Sequence, residues 1–444
     1  MKLAFEKNVC LIVDAYSTGK GLAKAINARG YACIHIKSSR DLPERYKHDE
    51  NDFVESLIYD GNIQSILEKL QHYNIKLCLP GYESGVLLAN LLCAELSLPG
   101  NDCQYVEAHR DKNRMMDLVA KKLPTIKQFV AHTLQEAFRQ RELIKTSPVV
   151  LKPLDSANGD GVFFCFNTED ITSAFNTIIN SKNQFGKQNA AVLIEEYNDG
   201  QEYIVNTVSW AELICIAEVW KVTRIPNTTI YDTVELVDSS DEAWLDITNY
   251  TKGVLEALHI KYGAATTELK YKKGRGALLL ETSSRLIGGA PLSLSQEAMG
   301  FSQLSLLLDA YLDNEIFQFR IATERKRLSK YAMAVCLISR IAGKMKKNIA
   351  VMSFYDLQTL HGYCFNAEKG KFLQETTDSL TSPGEIYLSG FSQELIKEDV
   401  VKIRQIEKTH LYSDAVGCST LGLLASKQRV KNDVPVNLEK AYSI

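Results

Sequence analysis

Two glutamates on neighbouring stretches of the chain have the spacing of a metal-binding pair. The segment AATTELKYKKGRGALLLETSSR, residues 264–285, contains two strand-like stretches separated by Gly274-Arg275. A two-residue Gly-X loop is typical of a type II′ turn and predicts a β-hairpin. Counting outward from that turn, Glu268 faces Glu281, with Cβ atoms roughly 5 Å apart. Facing like charges destabilise a hairpin unless a cation lies between them, so we predict that the pair binds Mg²⁺, with Mn²⁺ as an alternative.

The alternation of side chains along this hairpin favours the same register. One predicted face is apolar and suits a core, with Leu269, Leu278 and Leu280. The opposite face is polar and comprises Thr266, Glu268, Lys270, Glu281, Ser283 and Arg285. Two acids beside an arginine suit Mg²⁺ bound to a polyphosphate. The alternative is a solvated strand face on which Lys270 neutralises a glutamate, and a loop one residue longer would undo the pairing.

A lysine within an apolar strand precedes a glycine-rich loop. In VVLKPLDSANGDGVFFCF, residues 149–166, Lys152 comes four residues before the loop SANGDG. A buried lysine is costly unless an anion neutralises it, and glycines let backbone N–H groups turn toward a phosphate. We therefore predict a nucleotide phosphate site at Lys152 with Ser156, Asn158 and Gly159. The alternative is an ordinary hairpin, because Asn-Gly and Asp-Gly are strong hairpin turns.

A second strand ends in a short acidic connector. The sequence AVLIEEYNDGQEYIVNTV places Glu195, Glu196 and Tyr197 at the end of an apolar run, and Glu202 follows a turn. Backbone N–H and C=O groups of such a connector could bind an adenine edge, and an acid beyond it could accept hydrogen bonds from ribose hydroxyls. The alternative is that these glutamates are solvated at a strand end.

The loop AYSTGKGL, residues 15–22, does not match a nucleotide-binding fingerprint. A Walker A loop needs a glycine where Asp14 stands and Ser or Thr where Gly21 stands. A dinucleotide fingerprint needs a third glycine at position 24, which is Lys24. We interpret the loop as a strand-to-helix turn, whose place at the carboxyl end of a strand still allows substrate contact.

The elements that position these residues fall into three regions. Residues 1–105 alternate strand, helix and strand, which predicts a doubly wound parallel sheet. Residues 106–320 contain strand-like pairs with tight turns: VVLKPL with GVFFCF, AVLIEEY with EYIVNTVSW, and AATTELKY with ALLLETSS. Residues 321–444 predict a small mixed domain, with strands YAMAVCLISR and EIYLSG and a polar, exposed stretch at 366–382. The predicted fold class is mixed α/β with one parallel and several antiparallel units.

The composition excludes several classes of protein. The 444 residues are 45% hydrophobic and 24% charged, with a formal net charge of −3, as in a folded globular protein. Lys and Arg are not concentrated in one run, so nucleic-acid binding is not expected. The sequence has no signal-like segment and no stretch of roughly 20 apolar residues, so we expect a cytoplasmic protein without membrane spans. The ten cysteines contain no CxxC pair, which favours reduced core thiols over a metal or disulfide framework.

The order of these elements resembles the ATP-grasp superfamily. An α/β region is followed by Arg110-Asp111-Lys112 opening a helix, then by the Lys152 hairpin, the acidic connector and the glutamate pair. The resemblance implies ATP between two antiparallel sheets, with a lid at about 120–198. It implies that Lys112 and Lys152 contact phosphates, Tyr197 and its neighbours read adenine, and Glu202 holds ribose.

The same resemblance assigns the chemistry of the hairpin. It implies that Glu268 and Glu281 bind Mg²⁺ and that Arg285 stabilises the transferring phosphoryl group, with Lys152 also acting in catalysis. Many superfamily members have Asn two places after the second glutamate, where this chain has Ser283. That departure puts a two-metal site in question.

Within the superfamily the chain is most similar to bacterial L-amino acid ligases. VDAYSTGKGL, GYESGV around Glu83, LPGN at 98–101 and KPLDSANGDGV carry this resemblance. It implies that Glu83 lies near the substrate or metal, and that Arg285 with Gly288 and Gly289 helps to hold an amino acid. A plain turn at the two glycines is the alternative.

The expected activity is an ATP-dependent carboxylate–amine ligation through an acyl phosphate. The substrates would be L-amino acids or other small acids and amines, and relatives are commonly homodimers. Three alternatives stay open: a substrate carried on a carrier protein or peptide, a kinase-like enzyme that stops at phosphorylation, and an inactive ATP-binding regulator.

Overall fold

The structure is a computed structural model that describes residues 8–39, 49–155, 161–183, 186, 188–226, 228–288, 292–322, 327–409, 411–412 and 415–416. Four predicted site residues, Ser156, Asn158, Gly159 and Gly289, lie outside the described residues. No helix in the described ranges has the length and apolar character needed to cross a membrane. The nine cysteines that fall within these ranges are all free thiols, and seven of them are buried, as the sequence predicts.

The N-terminal region is a parallel four-stranded sheet with helices on both faces. Its strands are β1 (Asn8–Val13), β2 (Ala32–Lys37), β3 (Glu55–Ile58) and β4 (Asn74–Pro80), in the order β3-β2-β1-β4. Its helices are α1 (Lys20–Asn27), α2 (Ile63–Leu70) and α3 (Val86–Glu95). Helix α1 packs on one face of the sheet, and α2 and α3 pack on the other. The doubly wound arrangement is confirmed, although the sequence did not predict β3.

A second, antiparallel sheet follows after two short helices. The helices are α4 (Cys103–Val106) and α5 (Lys112–Val119). The strands are β5 (Gln128–Ala131), β6 (Val149–Pro153), β7 (Phe163–Cys165) and β8 (Val192–Glu196), in the order β5-β8-β6-β7. Helices α6 (Leu134–Leu143) and α7 (Thr168–Ile179) pack against this sheet. The β6–β7 hairpin was predicted from the sequence, and it is present.

The centre of the molecule is an eight-stranded antiparallel sheet. Its strands are β9 (Gln201–Trp210), β10 (Leu213–Arg224), β11 (Tyr231–Val237), β12 (Tyr262–Lys272), β13 (Gly276–Ser283), β14 (Tyr331–Cys336), β16 (Leu360–Phe365) and β18 (Gly384–Gly390), in the order β13-β12-β9-β10-β11-β14-β18-β16. The remaining helices are α8 (Trp244–Ala257), α9 (Leu292–Met299), α10 (Gln303–Leu312), α11 (Asn314–Ala322) and α12 (Gln393–Thr409). A small sheet contains β15 (Gly343–Met345), β17 (Phe372–Leu373) and β19 (Ala415–Val416). Single 3₁₀ turns occupy Ser17–Gly19, Glu50–Asp52, Glu83–Gly85, Glu107–His109 and Val351–Phe354.

The central sheet differs from the sequence prediction in two respects. Strands β8 and β9 were predicted to pair, but β8 pairs with β5 and β6, whereas β9 pairs with β10 and β12. The connector between them therefore joins two different sheets. Strands β14, β16 and β18 extend the central sheet through β11, across the boundary expected near residue 320. The division into three domains, with boundaries near residues 105 and 320, stays a prediction, and the mixed α/β fold class is confirmed.

In the β12–β13 hairpin Glu268 faces Glu281 as predicted, but the loop length and the register near the turn differ from the prediction. Its loop has three residues, because Lys272 pairs with Gly276 rather than with Ala277. The register near the turn is therefore one residue away from the prediction. A β-bulge between Glu268 and Leu269 absorbs the shift, and Glu268 again faces Glu281. The bulge also changes the predicted apolar face. Leu269, Leu278 and Leu279 are buried, and Leu280 lines the central cavity while packing only partly on the core.

A buried polar network ties the central sheet to helix α10. The Glu218 carboxylate accepts hydrogen bonds from Asn206 Nδ2 (2.7 Å), Trp220 Nε1 (3.0 Å) and the Gln303 backbone N–H (2.9 Å). The Gln303 side chain in turn accepts from the Ile287 N–H at 2.9 Å and donates to two strand carbonyls. Glu218 is 1% exposed and Gln303 is fully buried. The network therefore fixes the segment that follows β13.

We expect the substitution Glu218→Ala to destabilise the protein strongly. It leaves three buried donors without an acceptor, and each such group costs about 1–3 kcal/mol. The midpoint of urea unfolding, followed by tryptophan fluorescence, should fall markedly. Glu212→Ala is the control, because that side chain is exposed on a turn and should not shift the midpoint. Equal midpoints for the two variants would contradict a structural role for the network.

Candidate functional site

A cavity of about 970 Å³ lies between the central sheet and the β5–β8 sheet. Side chains from all three regions of the chain line it. The N-terminal region contributes Ser17, Lys20, Tyr82 and Glu83; the middle region contributes Lys112, Lys152, Glu195, Glu196, Tyr197, Glu202, Arg224, Tyr231, Glu268, Lys270, Glu281, Ser283, Arg285 and Gly288; and the C-terminal region contributes Cys336, Cys364, Thr376, Asp378, Glu385 and Tyr387. Every predicted site residue that the structure describes therefore lines a single cavity.

The facing glutamates are the most strongly charged feature of this cavity. Glu268 on β12 and Glu281 on β13 are directly opposed cross-strand neighbours. Lys112 Nζ lies 2.6 Å from Glu281 Oε2, and both side chains are largely buried. The position of Lys112 is fixed by Asp111, whose carboxylate caps helix α5 by accepting from the N–H groups of Asn113 and Arg114. One of the two acids is thus neutralised by the protein itself.

The pKa values of Glu268 and Glu281 are shifted in opposite directions. Burial raises the pKa of Glu268 to about 8, and the charges of Glu281 and Glu202 act in the same direction. Burial acts to raise the pKa of Glu281 as well, but the nearby cations Lys112, Lys152 and Arg285 hold it below its usual value. The charges of Arg224 and Lys112 act to lower the pKa of Glu268 but do not offset its burial, and no ion pair to it is found among the described residues. A cation beside it would therefore favour its ionised form.

The donor set fits a magnesium ion that also binds phosphate oxygens. The described residues contain no group of three or more His, Cys, Asp or Glu side chains arranged to hold a metal. Two carboxylates are nevertheless sufficient, because Mg²⁺ is commonly bound by one or two carboxylates together with substrate phosphates. Glu268 and Glu281 would hold the ion, and it would supply neutralisation of phosphate charge. Ser283, opposite Thr266, stands on the same polar face.

The buried Lys152 has an anionic partner in Glu195. The two side chains lie on adjacent strands, β6 and β8, with Lys152 Nζ 2.7 Å from Glu195 Oε1. The predicted need of this lysine for an anion is therefore met within the protein. Next to it, Glu196 pairs with Arg275 from the β12–β13 turn. The Tyr197 N–H donates to Thr146 Oγ1 at 3.0 Å, so the connector is held from both sheets.

Arg224 at the end of β10 was not predicted as a site residue. Its guanidinium forms a fork with Glu202, with Nε and Nη2 donating at 2.9 and 2.6 Å. It also stacks 3.9 Å from the ring centroid of Tyr231. Glu202 is thus already engaged by a cation. The only signal in the sequence is an arginine that ends an apolar strand before Ile-Pro, which is too common to single out.

Glu83 and Arg285 join the N-terminal region to the hairpin. Arg285 Nε donates to Glu83 Oε2 at 2.8 Å, and Arg110 Nε lies 3.8 Å from Glu83 Oε1. The sequence did not predict this ion pair, and the roles of Glu83 near the substrate or metal and of Arg285 in holding an amino acid stay predictions. Gly288 lines the same end of the cavity, yet a Cβ there would make only ordinary contacts, 3.6 Å from Arg285 Nη1 and 3.9 Å from Ser17 Oγ. The protein itself does not require glycine at this position.

His109 positions the residue next to Arg285. Its Nε2 donates to the Leu258 carbonyl at 2.9 Å, so in the neutral ring Nδ1 accepts from Ser284 Oγ at 3.1 Å. Burial lowers the pKa of His109 to about 4, which keeps the ring neutral. Nothing in the sequence distinguishes this histidine from the other seven.

The loop after β1 also reaches the cavity. Ser17 and Lys20 are on its wall, and the expected substrate contact of this loop stays a prediction. Gly19 is required here, because a Cβ would lie 2.1 Å from the carbonyl oxygen of Gly81 in the loop after β4. The two loops therefore pack backbone to backbone at the carboxyl edge of the parallel sheet.

The fold and the site together are those of an ATP-grasp ligase, and comparisons with known proteins agree. Residues 145–293 match the ATP-grasp domain family. The chain is 32% identical over 416 residues to dapdiamide A synthase of Enterobacter agglomerans, covering 92% of this chain and 97% of that protein. It is 26% identical over 235 residues to alanine–anticapsin ligase of Bacillus subtilis (strain 168), about half of each chain. The crystal structure of the L-amino acid ligase from Bacillus licheniformis superposes with a TM-score of 0.72 at 18% identity, covering 90% of this chain and 97% of that one.

The chain belongs to the ATP-grasp ligases, which form amide bonds at the expense of ATP. The superfamily that the sequence resembles is thereby confirmed.

The raised pKa of Glu268 predicts a specific pH dependence of stability. Between the unfolded value near 4.5 and the folded value of about 8, the folded state holds a proton that the unfolded state has lost. The free energy of unfolding of the metal-free protein should therefore fall as pH rises through this window, by at most about 1.4 kcal/mol per pH unit from this group. Glu268→Gln should remove that component.

Thermal unfolding in EDTA between pH 5.5 and 8 measures the effect. The melting temperature of Glu268→Gln relative to wild type should increase steadily with pH. Glu256→Gln, an exposed position on α8, is the matched control and should parallel wild type. Parallel curves for Glu268→Gln would show that Glu268 titrates normally.

Proposed function

We propose that this protein uses ATP and Mg²⁺ to join the carboxylate of one amino acid to the amine of another substrate. The observation that carries the proposal is the pair of facing acids in a cavity that is also lined by lysines and arginines. Lys112, Lys152 and Arg285 all act on the charge of Glu281. Such a set of charges suits a polyphosphate and a metal, and the single cavity of 970 Å³ has room for a nucleotide beside two small substrates.

We assign the nucleotide to the part of the cavity beneath the β5–β8 sheet. Lys112 and Lys152 would contact its phosphates, the backbone of Glu195 to Tyr197 would bind adenine, and Glu202 would bind ribose. Ser156, Asn158 and Gly159 are proposed to cover the phosphates. Because Glu202 is held by Arg224, ribose hydroxyls would share that carboxylate with the guanidinium.

The proposed reaction has two steps. An oxygen of the substrate carboxylate attacks the γ-phosphorus of ATP, and ADP leaves, which gives an acyl phosphate. The amine nitrogen, after it has lost its ammonium proton to water, then forms a bond to the acyl carbon, the carbon–oxygen bond to phosphate breaks, inorganic phosphate leaves, and a second proton passes from nitrogen to water. Glu268 and Glu281 would hold Mg²⁺, which would supply neutralisation of phosphate charge. Arg285, fixed by Glu83, would stabilise the transferring phosphoryl group.

Amino acid substrates are proposed from two lines of support. Dapdiamide A synthase is similar over nearly the whole chain, and the Bacillus ligase of similar fold is named for L-amino acids. The end of the cavity at Glu83, Arg285 and Gly288 is proposed to hold the acid substrate, and a role of Gly289, which lies outside the described residues, stays a prediction from the sequence. A cytoplasmic location and a homodimer stay predictions from the sequence.

A phosphate-release screen of the purified protein with ATP, MgCl₂ and pairs of amino acids tests the proposal. Active pairs should release phosphate and ADP in equal amounts and form one amide per ATP, as measured by mass spectrometry. Glu281→Ala should lower turnover at least about 100-fold, because it removes one metal ligand and the partner of Lys112. Glu242→Ala, which changes an acid that is 74% exposed in its side chain, is the matched control and should retain activity.

Each alternative gives a different result in this screen. ADP formation that needs an acid but no amine would identify a kinase-like enzyme. Activity only with a carrier protein or peptide would identify a macromolecular substrate. No ATP turnover with any acid–amine pair, or full activity in Glu281→Ala, would refute the proposed function.

A further inference from the structure

One end of the cavity is built by the C-terminal strands and has no role in the function proposed above. Glu385 on β18 pairs with Cys336 on β14 and with Cys364 on β16. Tyr387 stands two residues further along β18, on the same face of the sheet. All four side chains line the cavity. We call this set, Cys336, Cys364, Glu385 and Tyr387, the C-terminal subsite.

Glu385 and Glu268 are two carboxylates of the cavity for which no ion pair is found within the described ranges. Glu83, Glu195, Glu202 and Glu281 each lie within 4 Å of an arginine or lysine nitrogen. Burial raises the pKa of Glu385, and a hydrogen bond from the Tyr387 hydroxyl acts in the opposite direction. That hydroxyl is a neutral donor, so the charge of this half-buried carboxylate is unfavourable until a cation neutralises it.

The C-terminal subsite adjoins the reaction centre through Arg224. In the central sheet, β11 and β14 lie between β10, which ends at Arg224, and β18, which carries Glu385. Arg224 pairs with Tyr231 on β11, and Cys336 on β14 pairs with Glu385. Arg224 in turn binds Glu202 and is close enough for its charge to act on Glu268. The subsite therefore lies on the β11 and β14 side of the acids, whereas Glu83 belongs to the N-terminal region and pairs with Arg285 after β13.

We propose that the C-terminal subsite binds the amine substrate, with Glu385 accepting hydrogen bonds from its ammonium group. This inference rests on the proposed function, in which the acid substrate occupies the end of the cavity near Glu83 and Arg285. Glu385 supplies the negative charge that an ammonium group requires, and Tyr387 supplies a hydroxyl beside it. The class of ligand is a small primary amine that is protonated in solution, such as an amino acid. Glu385 is a specificity residue, and it takes no part in forming the acyl phosphate.

Hydroxylamine separates the two half-reactions. It is small and uncharged at neutral pH, and its nitrogen forms a bond to the acyl carbon while inorganic phosphate leaves. A hydroxamate results, and the displaced proton passes to water. Formation of the hydroxamate from acid, ATP and hydroxylamine reports activation of the acid without recognition of an ammonium group. Amide formation with the amino acid that is most active in the screen reports the whole reaction.

Glu385→Gln keeps the size of the side chain and removes its charge. We expect the KM for the amine substrate to rise about tenfold or more, because a charge-assisted hydrogen bond is lost. The KM values for ATP and the acid, and the rate of hydroxamate formation, should stay within about twofold of wild type. Tyr387→Phe should give a smaller rise in the KM for the amine. Glu368→Gln, an exposed position of the same region, is the matched control and should change neither rate.

The outcomes distinguish the inference from the proposed function. An unchanged KM for the amine in Glu385→Gln, or an equal loss of hydroxamate and amide, would overturn the assignment of the subsite. Wild-type protein that forms neither hydroxamate nor amide would refute the ligase function, and the subsite with it. Hydroxamate formation that survives while amide formation weakens supports both.

Labelling of cysteine gives a second readout that does not depend on turnover. Cys364 is exposed and lies beside Glu385, whereas Cys103 is exposed at the start of α4, outside the cavity. The amine substrate should slow the reaction of Cys364 with N-ethylmaleimide in wild type and should have less effect in Glu385→Gln, as quantified by peptide mass spectrometry. Labelling of Cys103 should not respond. Protection of Cys364 by the acid substrate instead would overturn the assignment.

Discussion

The repulsion between Glu268 and Glu281 is the constraint around which the site is organised. Two carboxylates on directly opposed positions of an antiparallel pair destabilise the sheet. Lys112, at the start of helix α5, neutralises the charge of Glu281. The raised pKa of Glu268 favours its protonated, uncharged form, which lowers the repulsion between the two side chains. The fold thus creates a place where a cation would be favoured, because a cation beside the pair would stabilise the ionised form of Glu268.

The backbone that carries Arg285 is held in place by hydrogen bonds of residues before and after it. Ser284 is bound to the neutral His109, and the Ile287 N–H is bound to the buried Gln303. Gln303 belongs to the network around Glu218, which reaches the interior of the central sheet. A long arginine held between two such anchors loses little conformational freedom when it binds an anion.

Several charges of the cavity are already paired with each other. Lys152 binds Glu195, Arg224 binds Glu202, and Arg285 binds Glu83. A nucleotide in this cavity would therefore exchange ion pairs at these three positions. The pairing lowers the cost of keeping the cavity charged before substrates arrive, because a buried charge with a partner is far less unfavourable than one without. No ion pair to Glu385 is found in the part of the chain that the structure describes, and in this its end of the cavity differs from the positions of Glu83, Glu195 and Glu202.

The sequence by itself determined the local elements and the residue types of the site. Alternation within residues 264–285 placed two acids on one face of a hairpin, and the strand–helix rhythm before residue 105 predicted the parallel sheet. These features depend on neighbours in sequence, where side-chain periodicity is a direct physical signal. The predicted pairing of Glu268 with Glu281 is correct, but the predicted two-residue loop is wrong. The actual loop has three residues, and the β-bulge after Glu268 restores the pairing that the longer loop would have shifted.

Only the tertiary structure decided which distant elements meet. It separated β8 from β9, joined β14, β16 and β18 to the central sheet, and brought Arg224 to Glu202. It also placed Thr376 and Asp378, from a stretch expected to be exposed, on the wall of the cavity. Pairing between strands far apart in sequence leaves no periodic pattern, since any apolar strand can hydrogen-bond to many others. The choice among them depends on how the whole chain buries its apolar faces, which no local segment encodes.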